Sequence, residues 1–392
     1  MKRMLLRSIG ALLAAGALNG ALAQTGGVLT QPITLTVDCS HGQTVSAALG
    51  RLWTIPLPIP VVISIHGSCN EFVTISRDNV TLHGDPSAAI TAPNSGSDLV
   101  SVFANGVTLE NLTLTGGNYG VRNNHSFGLT INNSVIQGSQ SDGVRVIAGE
   151  TRVIGGSTIQ NAGGNGIFAI RGGAVGLAPN THVLANAGAG IYAVQNAAVT
   201  VTGSTISDNG SHGVFLDAAS QASISGSTIA NNGRDPNQDG NGIHVYQSQA
   251  TITSGNNILN NRQDGIAVIG GAVATIDNNN VQGNGRHGVD GYLAPAIVMH
   301  GNTISGNGFA NHDGMGIYCV INCTLQISGA TITGNAVTGI NMAIGSSLVF
   351  QFQEPKTNGT GNGGADLWCG DPSTHVANLG SFIGTGPTCT PF

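Results

Sequence analysis

A chain of 392 residues with 40% apolar side chains, only 8% charged ones and 60 glycines is too apolar to stay disordered. After Lys2 the only lysine is Lys356. With Lys2, Arg3 and Arg7 set aside, ten basic face 19 acidic side chains, a net charge of about −9. That balance excludes nucleic acid and anionic membrane surfaces as partners, since both demand a basic face.

In chain order, the first element is an export signal. Three cations precede the short apolar run "IGALLAAGAL", and "ALA" at 21–23 has the small-x-small form of a cleavage site. Residues 1–23 are therefore expected to be a signal peptide, and no later segment is long and apolar enough to span a membrane. The expected location is secreted or periplasmic. Six cysteines follow in the mature chain, an even count that suits disulfides in an oxidising compartment. Pairing neighbours along the chain gives Cys39–Cys69, Cys319–Cys323 and Cys369–Cys389. A zinc site is disfavoured because the two-residue cysteine spacing is missing. "QTVSAALGRLW" (43–53) can form a short amphipathic helix, and "VTISRDNVTLHG" (73–84) looks like an early repeat unit.

From Gly120 onward one pattern dominates. Gly followed by Ile or Val, then an alternating segment, stands at Gly120, Gly143, Gly166, Gly190, Gly213, Gly242, Gly265, Gly288, Gly316 and Gly339. The steps are 23, 23, 24, 23, 29, 23, 23, 28 and 23 residues. In "GIHVYQS" (242–248), Ile243 and Val245 alternate with His244 and Tyr246, the period of a half-buried strand. "ATITS" and "GNNILNN" follow, and no helix intervenes. Such units must stack coil on coil. A small phrase recurs in them: "TGSTISDNG" (202–210), "SGSTIANNG" (225–233) and "HGNTISGNG" (300–308). It places Asn209, Asn232, Asn261, Asn284, Asn307 and Asn335 three residues after an inward Ile or Val. Stacked about 4.8 Å apart, these amides can form one hydrogen-bonded row. Asn tolerates the left-handed turn conformation and Gly supplies positive φ. Ser139 and Ala162 occupy the equivalent earlier positions, so the row is expected to start near the coil of Ile206.

On these repeats the chain resembles the secreted right-handed parallel β-helix proteins, the pectin-lyase-like superfamily. The resemblance covers roughly 34–352. It implies an all-β solenoid of about 13 coils with about 23 residues each. Right-handedness follows from the resemblance and from the crossover rule. The 43–53 helix looks like the superfamily's N-terminal cap (about 34–70), stapled by Cys39–Cys69, within a body of 24–352. Residues 353–392 lose the period and read as an irregular C-terminal cap.

Two steps are long because residues are inserted in "GRDPNQDGNG" (233–242) and "GFANHDGMG" (308–316), both just before an anchor glycine. They are placed to wall a groove. Its floor would be the first outward column, Arg122, Arg145, Phe168, Tyr192, Phe215, His244, Ala267, Asp290, Tyr318 and Asn341. Beside it run Asp217, Tyr246, Ile269 and Tyr292, and just before the anchors stand His212, Asp264, Arg286 and His287. Sugar binding is expected from Phe168, Tyr192, Phe215, Tyr246, Tyr292, Tyr318 and Arg262, through aromatic faces and a guanidinium that can grip a uronate carboxylate. Proton transfer is expected from His244, His287, Asp264 and Asp290, with Arg286 beside them. Asp235, Asp239 and Asp313 on the inserts are candidate Ca²⁺ ligands, against a reading as Asx turns.

No enzyme family of this fold is matched. The polygalacturonase motifs are missing, the methylesterase signature D-F-I-F-G is absent, and Asp85-Pro86, Asp235-Pro236 and Asp371-Pro372 lack the His of the epimerase D-P-H motif. Two function classes stay open. One is a secreted protein that binds a polysaccharide and cleaves it, with a histidine base as a lyase or with paired carboxylates as a hydrolase. The other is a non-catalytic surface, adhesion or structural module. Oligomeric state is not legible.

Overall fold

The computed structural model describes residues 31–54, 58–308, 313–351, 355–385 and 389. The expected signal peptide lies outside the described residues. The chain winds into a parallel β-solenoid of about 14 turns with about 23 residues per coil. One face is a thirteen-stranded sheet whose strands are three or four residues long, running from Val73–Ile75 to Leu367–Cys369. Two further strands per coil build the remaining faces, and Val80–Thr91 is long enough to join both of them. In one coil these are Ile243–Tyr246, Gln249–Thr253 and Asn257–Leu259. Pairing is parallel and in register throughout this region: Phe215 lies beside His244, then Ala267, Asp290 and Tyr318.

The interior is a column of branched aliphatics. Ile206, Ile229, Ile258, Val281, Ile304 and Ile332 are fully buried, each worth roughly 1.5–3 kcal/mol of transfer free energy. The recurring phrase is now explained position by position. In "STIANN", Ser227 and Asn232 both point inward, Ile229 fills the core, and Asn231 takes the left-handed conformation (φ 56°). Asn232 Nδ2 donates to Asn261 Oδ1 (3.0 Å) and to the Ile206 carbonyl (3.2 Å). Its Oδ1 accepts from the Asn209 amide and backbone N–H, so the side-chain amide is fully satisfied. The row starts one coil earlier than expected, at Asn186, and continues to Asn362. The left-handed residue is the one before each ladder Asn, such as Asp208 or Asn260, and not the ladder Asn itself.

A second row was not anticipated. Asn256 donates to Asn279 and Asn279 to Asn302, and Ser204 and Ser227 occupy the same position in earlier coils. The anchor glycines answer to a different constraint from the turn glycines of the recurring phrase. Their φ angles are not positive. A Cβ on Gly265 would lie 2.7 Å from the Gly288 carbonyl, 2.5 Å from Val281 and 2.8 Å from the Asn284 amide. Close approach of the next coil, rather than turn geometry, keeps this column glycine.

The ends are built as follows. Helix Val45–Arg51 buries Val45 and Ala48, and its first N–H groups donate to Glu71 and the Thr44 hydroxyl. The disulfides are Cys39–Cys69, Cys319–Cys323 and Cys369–Cys389. Within 355–385 the strands shorten to two or three residues and still pair with the preceding coil, as Leu348 does with Val376.

Candidate functional site

In six coils the residue before the anchor glycine performs the same backbone task. Its side chain accepts the backbone N–H of the equivalent residue one coil on. Asp142 accepts from Asn165 (3.1 Å) and Asn165 from Ala189 (3.0 Å). After the break at Ala189, His212 Nδ1 accepts from Asn241 (3.1 Å) and Asn241 Oδ1 from Asp264 (2.9 Å). Asp264 Oδ1 then accepts from His287 (2.9 Å) and His287 Nδ1 from Met315 (3.1 Å).

This row fixes proton positions. An imidazole nitrogen that accepts an N–H carries no proton, so His212 and His287 are neutral with the proton on Nε2. Asn241 uses its oxygen within the row, which turns its amide nitrogen toward His244 Nδ1 (3.2 Å). His244 is thereby an Nε2–H donor too. Burial pushes His212 down to about 3 and His244 down to about 4. His287 falls to about 3, from burial and then the Arg286 charge. None of the three offers a free basic nitrogen to the outside, so the expected role of His244 or His287 as a proton-abstracting base has no geometry to support it.

Titration belongs instead to two carboxyls. The Arg286 guanidinium reaches Asp264 Oδ2 (3.5 Å) and Asp290 Oδ2 (3.4 Å). The Asp264 and Asp290 side chains are 3% and 5% exposed, whereas Arg286 is 40% exposed. Oxygens of the two aspartates lie within 4.8 Å of each other. Burial raises both groups above the usual carboxylate range, and the Asp264 charge raises Asp290 further against the pull of Arg286. Asp290 Oδ1 is buried and has no hydrogen-bond partner. Asp264 is better solvated by protein, with the His287 N–H and the guanidinium. His287 completes a cluster small enough for a metal ion. Its acceptor role toward Met315 protonates the other ring nitrogen, and Arg286 already neutralises the carboxylates, so the residues do not fit a cation.

The aromatic residues of the floor form a stack. Tyr192 and Phe215 lie parallel at 4.7 Å, Phe168 is 5.2 Å from Tyr192, and Phe215 is 4.9 Å from His244. Because rungs are about 4.8 Å apart, Tyr192 and Phe215 spend faces on one another, while Phe168 and His244 pack against them at a tilt. The expected sugar-stacking role of Phe168, Tyr192 and Phe215 is therefore not offered by their geometry. Arg145 closes one end of the stack, 4.5 Å over Phe168 and paired with Asp142 at 2.9 Å. At the other end Ala267 interrupts the column between His244 and Asp290. Tyr318 packs on His287 at 4.7 Å. Tyr246 and Tyr292 flank Ile269 in the neighbouring column and are both 37% exposed, which makes them aromatic surfaces open to a ligand beside the carboxylates.

The first insert leaves the coil at a pinched neck, where a Cβ on Gly233 would sit 2.5 Å from Gly240 Cα. The second is pinched in the same way between Gly308 and Gly314, and residues 309–312 lie outside the described residues. Arg262 packs against the first neck and donates to the Gln238 carbonyl, which commits it to bracing the loop. Asp235 accepts from the Asn237 N–H (2.9 Å) and from Gln238 (2.8 Å), an Asx turn. Asp239 accepts from Gln263, and Asp313 is exposed on the second loop.

Thus Asp264, Arg286, His287, Asp290 and Tyr318 come together, with His244 linked to them through Asn241. Asn241 was missed by sequence reading; its place before Gly242 was the signal. The family described as right handed beta helix region matches residues 119–271 and 213–378, more than half of the chain, and the protein belongs to it. The A-module of mannuronan C-5 epimerase AlgE6 from Azotobacter vinelandii has the same fold, with a TM-score of 0.50 at 16% identity over 88% of this chain and 95% of its own. Pectate lyase Pel9A gives 0.44 at 14% identity, covering 89% and 80% of the two chains. The periplasmic alginate epimerase AlgG gives 0.42 at 12% identity, covering 89% and 84%. No curated protein sequence matches the chain.

Proposed function

We propose that this is an exported β-helix protein that binds an extracellular polysaccharide across the face around Ala267 and hydrolyses its glycosidic bonds with Asp264 and Asp290. The observation that carries the reading is the buried aspartate pair that shares the Arg286 guanidinium and leaves Asp290 Oδ1 unpartnered. Like charges this close cannot both ionise at low cost, so the pair holds a proton near neutrality. Asp290 carries it and donates it to the leaving glycosidic oxygen. Asp264, held ionised by the His287 N–H and Arg286, attacks the anomeric carbon, and water then releases the sugar. The two carboxyls are close neighbours, which favours the short-spaced retaining arrangement over the wider inverting one. Tyr246 and Tyr292 supply the exposed aromatic contact, and the Nε2–H groups of the histidines supply donors to hydroxyls. The disulfides, the expected signal at 1–23, and the naming of a structural neighbour as a mannuronan epimerase all support an exported polysaccharide protein. Residues 24–352 form the working body, with 353–392 closing its end.

A second reading, a non-catalytic glycan-binding module, is favoured by Arg286 itself, because a guanidinium that satisfies both carboxylates is also how a structural ion cluster is built. Digests of a polysaccharide panel separate the two readings. New reducing ends that disappear in Asp290→Asn and Asp264→Asn support hydrolysis. Unsaturated products absorbing in the ultraviolet would replace it with elimination. Binding without any product would select the module.

A further inference from the structure

Resting on that reading, we infer that the site takes uncharged sugar units and excludes polyuronates. A uronate-binding face needs an arginine or lysine with free donors, because each sugar unit delivers a carboxylate. Among the described residues, the arginines of the first outward column and beside the carboxylates are held in ion pairs, while Arg171 is exposed at the rim after Ile167–Ile170. Arg122 pairs with Asp98 (3.4 Å), Arg145 with Asp142 (2.9 Å), and Arg286 with both Asp264 and Asp290. Arg262 is bound to the Gln238 carbonyl and Arg234 reaches the Asp208 carbonyl at 3.5 Å. The only lysine of the mature sequence, Lys356, lies beyond these coils.

The histidines cannot compensate, since the row of backbone bonds holds them neutral. Around Ala267 stand Asp264 and Asp290, while Asp217, Asp239 and Asp313 border the same face. Asp217 accepts from the Tyr192 hydroxyl at 3.3 Å. Asp239 and Asp313 are close enough to hinder ionisation of Asp264. A polyanion approaching this face meets the border carboxylates Asp217, Asp239 and Asp313. An uncharged glycan meets the half-buried His244, whose proton sits on Nε2, the Asp290 carboxyl beside Ala267 and the tyrosine surfaces. Neutrality of the substrate also fits hydrolysis, because β-elimination needs the proton acidified by a uronate carboxylate.

The test measures binding of the full mature chain by affinity electrophoresis. The panel pairs neutral polysaccharides (a β-glucan, an unsubstituted xylan, a mannan and a galactan) with polygalacturonate and alginate, at low and at physiological salt. We expect at least one neutral polymer to bind at least tenfold more tightly than either polyuronate. The gap should narrow at the higher salt and in Asp239→Asn/Asp313→Asn, which alters only border charges. Polyuronate binding equal to or tighter than that of every neutral polymer, and lost in Arg286→Gln, overturns the charge inference and leaves the polysaccharide reading standing. Failure of all six polymers to bind removes the polysaccharide reading and this inference with it.

Discussion

Asp264 and His287 stand on consecutive coils, and Asp264 Oδ1 accepts the His287 backbone N–H at 2.9 Å. One side chain thus closes the ladder between two turns and exposes its second oxygen to Arg286. His287 likewise accepts the Met315 N–H at Nδ1 and keeps its proton on Nε2, with its ring stacked on Tyr318. Structure and chemistry share these residues, so substitution must respect both.

Asn already fills this row at 165 and 241, and its Oδ1 occupies the place of the imidazole Nδ1. His287→Asn keeps that acceptor and is therefore expected to lose less stability than a variant without one, its loss confined to the packing of the imidazole on Tyr318. His287→Leu leaves the Met315 N–H without an acceptor and should cost about 1–3 kcal/mol. Equal losses in both variants, measured by denaturant melts, would refute the acceptor role.

Two neighbouring asparagines should behave differently. Asn232→Ala deletes a fully bonded ladder rung and is expected to cost roughly 2–4 kcal/mol, because amide and carbonyl groups on both adjacent coils lose partners. Asn231→Gly should be close to neutral, since its backbone is already left-handed at φ 56°. Urea melts of the two variants give the comparison.

Glycine substitutions test the close-approach argument. Gly265→Ala drives a Cβ to within 2.7 Å of the Gly288 carbonyl and is expected to cost roughly 3 kcal/mol or more. Gly255→Ala faces open space at φ 78° and should cost only about 1–2 kcal/mol of left-handed strain. The reverse order of melting temperatures would contradict the account.

The repeat made the fold legible because stacking forces equivalent residues into columns: once the 23-residue step was counted, the neighbours of His244, Ala267 and Asp290 followed from arithmetic. The ladder was visible as Asn three positions after Ile. Its partner row at Asn256, Asn279 and Asn302 was hidden because serine and threonine fill the same position in other coils. The site was half legible. Its members were nameable, but hydrogen-bond direction depends on which coil a side chain leans toward, and alternation does not encode that. Hence His244 and His287 looked like bases and Phe215 like a sugar platform. Asn241, which locks one imidazole and bridges toward the carboxylates, looked like an ordinary loop residue.

Stability should also respond to acid through the histidines. Their folded values lie below the ordinary 6.5, so as pH falls below 6.5 the unfolded chain takes up protons that the folded chain refuses, and stability is lost. The raised aspartates act oppositely, costing stability as pH rises from the ordinary 3.8 through about 6 and about 7, and no further above that. Comparing wild type with His212→Asn isolates one histidine. Relative to the variant, wild type should lose melting temperature steadily between pH 6.5 and 4.5, and parallel profiles would contradict the assignment.

The most direct test of the central claim is a pH titration followed by NMR of the histidine nitrogens and aspartate carboxyl carbons. The account predicts that His212, His244 and His287 stay neutral Nε2–H tautomers from pH 7.5 to 5 while one carboxyl of the Asp264–Asp290 pair gains its proton well above the ordinary aspartate range. A histidine of this group that titrates near 6.5 or carries its proton on Nδ1, or two aspartates that both titrate near 4, would contradict it.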